Sequence, residues 1–146
     1  MTQEDKELLL RDLSARLSYN LVVQIEGCGI WNLRGIDHDD SAELRDRVIV
    51  WYGKSYPSSK NSSPIINCKP FLFPLSSMTE GQKRNLMSLF NCHVEITQYE
   101  IKFADYQDSN MDNWNKVFNW CYKNHFDYRG LIPMGLAIDA TGLNIY

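Results

Sequence analysis

The chain lacks any apolar run near the roughly 20 residues that a membrane-spanning helix needs, so no membrane partner is expected. It lacks a basic excess too. Fifteen Lys and Arg stand against 18 Asp and Glu, for a net charge of −3. That disfavours a partner held by its phosphate backbone, such as nucleic acid. The opening MTQEDKELLL is acidic and polar, without the basic start and apolar stretch of a secretory signal. A cytoplasmic location is the expectation. Cys28, Cys68, Cys92 and Cys121 contain no CxxC pair. In a reducing compartment four free thiols are expected, with no disulfide and no metal. Neither glycine-rich phosphate loop occurs, nor the G-x-S-x-G of a nucleophile elbow. No cofactor is expected, and no catalytic residue is marked by a motif.

The remaining composition is that of an ordinary globular domain: 44% hydrophobic and 23% charged, which excludes the signature of disorder. At 146 residues the chain fits one domain, spanning 1–146. Four Trp, eight Tyr and six Phe supply large apolar area for a core.

Leu9, Leu10, Leu13 and Leu17 recur at helical spacing and predict a helix over 3–17, capped by Thr2. Leu21, Val23 and Ile25 alternate with more polar neighbours, so 21–26 reads as a strand. Gly27-Cys28-Gly29 then turns it into an antiparallel partner over 30–36. Arg47–Tyr52 is a further strand, apolar on both faces. The Ser-rich stretch 54–64 reads as a loop. Pro70 predicts that any strand in 65–73 lies at an edge or stops near Lys69.

Ser77 with Glu80 and Thr79 with Gln82 are overlapping capping boxes before a helix reaching about Phe90. Leu86, Leu89 and Phe90 form its expected buried side. Parity slips between Val94–Ile96 and Tyr99–Phe103, which predicts a bulge or bend near Thr97 and Gln98. Trp114, Val117, Phe118, Cys121 and Tyr122 define the strongest amphipathic helix, over 111–124, with Phe118 in mid-stripe. The order of elements predicts an α+β fold: a small antiparallel sheet over 21–69, with an SH3-like curl, flanked by an N-terminal helix and two later helices.

EDKELLLRDLSARL, KPFLFPLSSMTEGQK and NHFDYRGLIPMGLAIDATG resemble a family of small uncharacterised proteins. These come from gut bacteria of the Bacteroides group and travel with phages and other mobile elements. The resemblance implies a prophage or mobile-element setting and a cytoplasmic location. It implies no activity and no site residue.

Four constellations remain. Cys121 and His125, four apart on a helix, could face one metal, but the other ligands have no recognisable spacing. His125, Asp127 and Arg129 could form a small catalytic site, with the imidazole as general base and Arg129 holding an anion. Asp37-His38-Asp39-Asp40 reads as a solvated acidic loop, out of register for a calcium loop. Trp120 falls outside the apolar stripe of its helix. It is either an exposed anchor or part of a helix buried on two sides.

Trp120, His125, Tyr128 and Arg129 are thus the candidate partner-binding residues, because Trp, Tyr and Arg dominate interface energetics. The leading expectation is a non-enzymatic binding or accessory protein, whose partner is another protein or a second copy. An enzyme around His125, Asp127 and Arg129 is the alternative. Nucleic-acid stacking on Trp31 and Trp51 is a third.

Overall fold

Thr2 starts the first helix as the sequence requires. Its hydroxyl accepts from Asp5 N, and the Asp5 carboxylate accepts from Thr2 N, closing a capping box. Helix α1 runs Gln3–Arg16 in a computed structural model that describes residues 1–39, 47–52, 62–90, 94–97, 100–103 and 110–146. A 3-10 turn over Leu17–Tyr19 follows, closed by left-handed Asn20.

Strands β1 (Val22–Ile25) and β2 (Gly29–Asp39) form the expected hairpin, with Val23 opposite Trp31 and Gln24 opposite Ile30. Gly27 and Gly29 both take positive φ in the turn, a conformation that glycine adopts without a side-chain penalty. Strand β3 (Arg47–Tyr52) pairs antiparallel with β2, and β4 (Ser62–Pro64) with β3.

Two loop expectations are corrected here. Asp37, His38 and Asp39 belong to β2 rather than to a loop, and Asp40 lies outside the described residues. The last three residues of the Ser-rich stretch form β4; positions 53–61 lie outside the described residues. Pro64 is tolerated because β4 ends the sheet.

After a 3-10 turn over Ile65–Asn67, β5 (Cys68–Pro74) runs straight through Pro70 into the middle of the sheet. It pairs antiparallel with β1, and in parallel with β8 (Phe126–Asp127) and β9 (Ile138–Asp139). The edge assignment for Pro70 is therefore wrong, and backbone alternation explains it. Phe71 O turns toward β1, where the Tyr146 hydroxyl reaches it and also receives Val22 N. Leu72 O turns the opposite way, to Ala140 N. Pro70 shares that second side, one residue before β9 begins pairing, so its missing N–H deprives no strand of a bond.

The fold is α+β, as expected. The sheet order is β4-β3-β2-β1-β5-β8, with β9 also on β5, and the sheet is open among the described residues.

Helix α2 (Glu80–Met87) uses the second of the two capping boxes, Thr79 with Gln82. Ser77 instead donates to Pro74 O. Leu86 and Phe90 are buried, but Leu89 is 42% exposed because it falls beyond the helix, where the spacing no longer holds. The parity slip at Thr97 is a full reversal. Strands β6 (Val94–Ile96) and β7 (Ile101–Phe103) pair antiparallel, and Thr97 N donates to Glu100 O across the turn.

Helix α3 (Met111–Lys123) is capped by Asn110, whose side chain accepts from Asn113 N. Val117 and Cys121 are fully buried, whereas Phe118 is only half-buried, which corrects its placement at the centre of the core.

Two apolar clusters result. The first lies between α1 and the inner sheet face, around Leu9, Leu13, Val23, Val50 and Leu72. The second lies among α2, α3 and the β6–β7 hairpin, around Leu86, Val94, Val117 and Phe126. Cys28, Cys68 and Cys121 are free thiols, and burial pushes the latter two up to about 12. Cys92 lies outside the described residues. No helix among the described residues is long and apolar enough to cross a membrane.

Candidate functional site

Helix α1 places Asp12 and Arg16 one turn apart, on the face that also carries Leu9 and Leu13, and both charged side chains are wholly buried. Arg16 Nε donates to Asp12 Oδ2 at 2.7 Å and Nη2 to Oδ1 at 3.1 Å. The rest of the guanidinium crosses to the second cluster. Nη1 donates to Cys121 O at 3.2 Å, and Nη2 to Phe126 O at 2.9 Å.

Cys121 O lies in the last turn of α3, where carbonyls run out of intrahelical donors. His125 N, which would have served it, turns to Tyr122 O instead. Arg16 thus caps α3 from another helix and brings positive charge to the negative end of its dipole. Its guanidinium also lies 5.1 Å from the centroid of the Tyr122 ring.

Arg129 extends the cluster outward. Its Nη2 donates to the Tyr122 hydroxyl at 2.8 Å, and its Nε stands 3.4 Å from Asp12 Oδ1, an ion contact rather than an aligned hydrogen bond. The Tyr122 and Tyr128 hydroxyls meet at 2.6 Å, and the Arg129 guanidinium covers the Tyr128 ring at 4.9 Å. Burial raises Tyr128 above the ordinary phenol range.

Asp127 is buried as well. Its two carboxylate oxygens accept from Leu131 N at 2.9 Å and Ile132 N at 2.8 Å, holding the turn after β8. Burial raises its pKa, against the lowering effect of those two bonds.

His125 follows the end of α3 at φ +59, a left-handed position usually given to Gly or Asn. Its ring stacks on Tyr146, with centroids 3.9 Å apart and planes 8° apart. Its Nδ1 is buried and has no hydrogen-bond partner among the described residues. Burial, helped by the charge of Arg16, lowers its pKa to about 4.

The structure therefore brings Tyr128 and Arg129 together at Tyr122, while His125 packs on Tyr146 and Trp120 on Phe126, so the four residues make largely inward contacts with separate partners. Trp120 is buried, stacked on Phe126 at 5.4 Å, and its indole nitrogen donates to Asn85 Oδ1 at 2.8 Å. Trp120 joins α3 to α2, so the exposed-anchor reading is corrected: α3 is covered on two sides. His125 is buried in the same way, and Tyr128 and Arg129 are half-buried.

Truncating Asn85 to alanine should lower unfolding stability by about 1 kcal/mol, because the buried indole N–H loses its acceptor. Urea denaturation measures this. A cycle with Trp120→Phe should return most of that loss as coupling between the two residues.

The other constellations do not assemble. Cys121 sits in the apolar cluster while His125 has left the helix, so their four-residue spacing does not converge. No group of three His, Cys, Asp or Glu fit for a metal occurs among the described residues. Trp31 contacts Tyr52, whereas Trp51 is the adjacent residue on β3 and faces the other side of the sheet; the two indoles make no common platform.

Sequence reasoning missed Asp12 and Arg16. Their signal was present: an Asp–Arg pair spaced i, i+4, in phase with Leu9 and Leu13.

The outer sheet face is built differently. Ile30, Gln24 and Lys69 lie side by side across β2, β1 and β5. Gln24, Glu26, Ile66, Lys69 and Ile138 line a shallow cleft of about 390 Å³, and Ile30 lies beside it, opposite Gln24. Ile30 is 55% exposed and Ile66 48%. Neither Glu26 nor Lys69 has an ion-pair partner among the described residues.

No family model, no curated protein and no solved structure matches this chain.

Proposed function

We propose that the chain is a small, non-enzymatic binding or accessory protein acting through protein–protein contact, and that the outer sheet face pairs it with a second copy of itself. The observation that carries this is an exposed Ile66 lining the cleft, an exposed Ile30 beside it, and a Glu26 and a Lys69 in its lining that have no ion-pair partner among the described residues. Exposed apolar side chains with a polar rim mark contact surfaces. Gln24 pairs with Lys69, and Glu26 lies two residues further on, just past β1, where its N–H still bonds Asn67 O, so both charges project from the same face. A twofold axis through this face would set Glu26 of each copy against Lys69 of the other, a self-complementary arrangement.

The residues of the enzymatic alternative support the non-catalytic reading. Asp127 spends both oxygens on backbone N–H groups, and Arg129 is held by Tyr122 and Asp12. The resemblance to small mobile-element proteins of the Bacteroides group agrees with an accessory role in the cytoplasm.

Sedimentation over a concentration series tests the surface. Ile30→Asp should weaken self-association at least tenfold, since it places a charge on the exposed apolar surface beside the cleft. Glu26→Lys or Lys69→Glu alone should weaken it, and the two together should restore it. A chain that stays monomeric at millimolar concentration, or a double reversal that restores nothing, overturns the pairing.

A further inference from the structure

We propose that His125 and Tyr146 form a pH-sensitive clasp, which holds residues 138–146 on the β1–β5 seam while the imidazole is neutral and releases them when it gains a proton. The geometry is that of a closed joint. The Tyr146 hydroxyl donates to Phe71 O at 2.6 Å and accepts from Val22 N at 3.4 Å, bridging two strands beyond the end of their own ladder. The other side of Leu72 is held by Ala140 N, at 2.8 Å. Behind the phenol lies the His125 ring, face to face at 3.9 Å and 8°. The His125 carbonyl in turn receives Phe73 N at 2.9 Å, so the ring is anchored to the same strand that Tyr146 covers.

A proton on Nδ1 of this imidazole would find no acceptor among the described residues. Arg16 of α1 adds a positive charge nearby. Asp12 of the same helix is already engaged by Arg16 and Arg129. Asp127 of β8 is taken by Leu131 N and Ile132 N. On β5 the neighbour is the apolar Phe73, whose ring centroid is 5.8 Å from that of Tyr146. Nδ1 is already buried without a partner. A proton on Nδ1 is satisfied only by water, which this buried atom does not reach in the closed form.

The sign follows from linkage. The closed form depresses the imidazole from its ordinary 6.5 to about 4, so the open form takes up the proton first. The full stabilisation of the closed form is present above about pH 6.5 and is lost progressively as pH falls toward 4. The open-to-closed ratio rises roughly tenfold per unit, or about 300-fold across the window.

Amide hydrogen exchange, corrected for intrinsic rates, reads this directly. Protection of Val22 and Ala140 should fall together between pH 6.5 and 4, while Leu33, whose N–H bonds Leu21 O in the sheet, keeps its protection. His125→Phe keeps an aromatic ring and should remove the pH dependence; Asp127→Asn should leave it in place. In the unaltered protein, an NMR titration of the His125 ring should show a midpoint between about 4 and 6.5, below the ordinary value, with the Tyr146 ring signals moving in the same step. Four results overturn the clasp: a midpoint near 6.5, pH-independent protection of Val22 and Ala140, their loss in parallel with Leu33, or an unchanged pH profile in His125→Phe.

Discussion

Arg16→Ala is expected to lower unfolding stability by about 3–5 kcal/mol, the cost of leaving one partner of a buried ion pair alone. Three losses coincide. Asp12 keeps a buried carboxylate with only the loose 3.4 Å contact to Arg129. Cys121 O and Phe126 O lose their donor inside the protein. The two apolar clusters lose the side chain that spans them. Equilibrium urea unfolding measures the change. A paired substitution, Asp12→Leu with Arg16→Met, removes both charges and should cost much less than Arg16→Ala alone. It should still cost something, because the α3 and β8 carbonyls remain uncapped. A loss below 1 kcal/mol for Arg16→Ala would show that the pair is not buried in solution.

Phe126→Ala is expected to cost about 3–5 kcal/mol, as large-to-small changes at fully buried aromatic positions do. Phe126 is 1% exposed, stacked on Trp120 at 5.4 Å and tilted against Phe73 at 6.1 Å. It stands where β8 joins β5 to the second cluster. Phe118→Ala should cost about 1–2 kcal/mol, since its ring lies half-buried between Trp114 and Tyr128 and leaves no closed cavity. The difference is read by comparing the two urea midpoints at unchanged slope. Equal losses would place Phe118 back in the centre of the core.

These two phenylalanines show where the sequence was legible. Local patterns were: Thr2 and Thr79 capped their helices, the Gly27–Gly29 turn closed its hairpin, and the α+β class followed from the order of elements. Period alone also placed Val117 and Cys121 correctly. What it could not supply was the partner of each face. Phe126 belongs to a two-residue strand, too short for any period, and its burial comes from β5 and α3. Pro70 looked like an edge because its missing donor was visible, while the side that donor faces depends on strand neighbours distant in sequence.

The burial of Trp120 and His125 in the candidate site was illegible for a related reason. Trp, His, Tyr and Arg within ten residues are equally suited to an exposed contact and to a sealed joint. Their burial depends on partners far away along the chain: Asn85 for Trp120, and Tyr146 for His125. The Asp12–Arg16 pair itself could have been noticed, since two opposite charges in phase with Leu9 and Leu13 must be buried together or break the stripe.

The most direct test of the division of labour between a sealed inner cluster and an open outer face is sedimentation equilibrium of Arg129→Ala and Ile30→Asp beside the unaltered chain. Arg129→Ala is expected to leave the self-association constant unchanged, and Ile30→Asp to weaken it at least tenfold. Weakened association in Arg129→Ala with none in Ile30→Asp would contradict the account and return the contact surface to Tyr128 and Arg129.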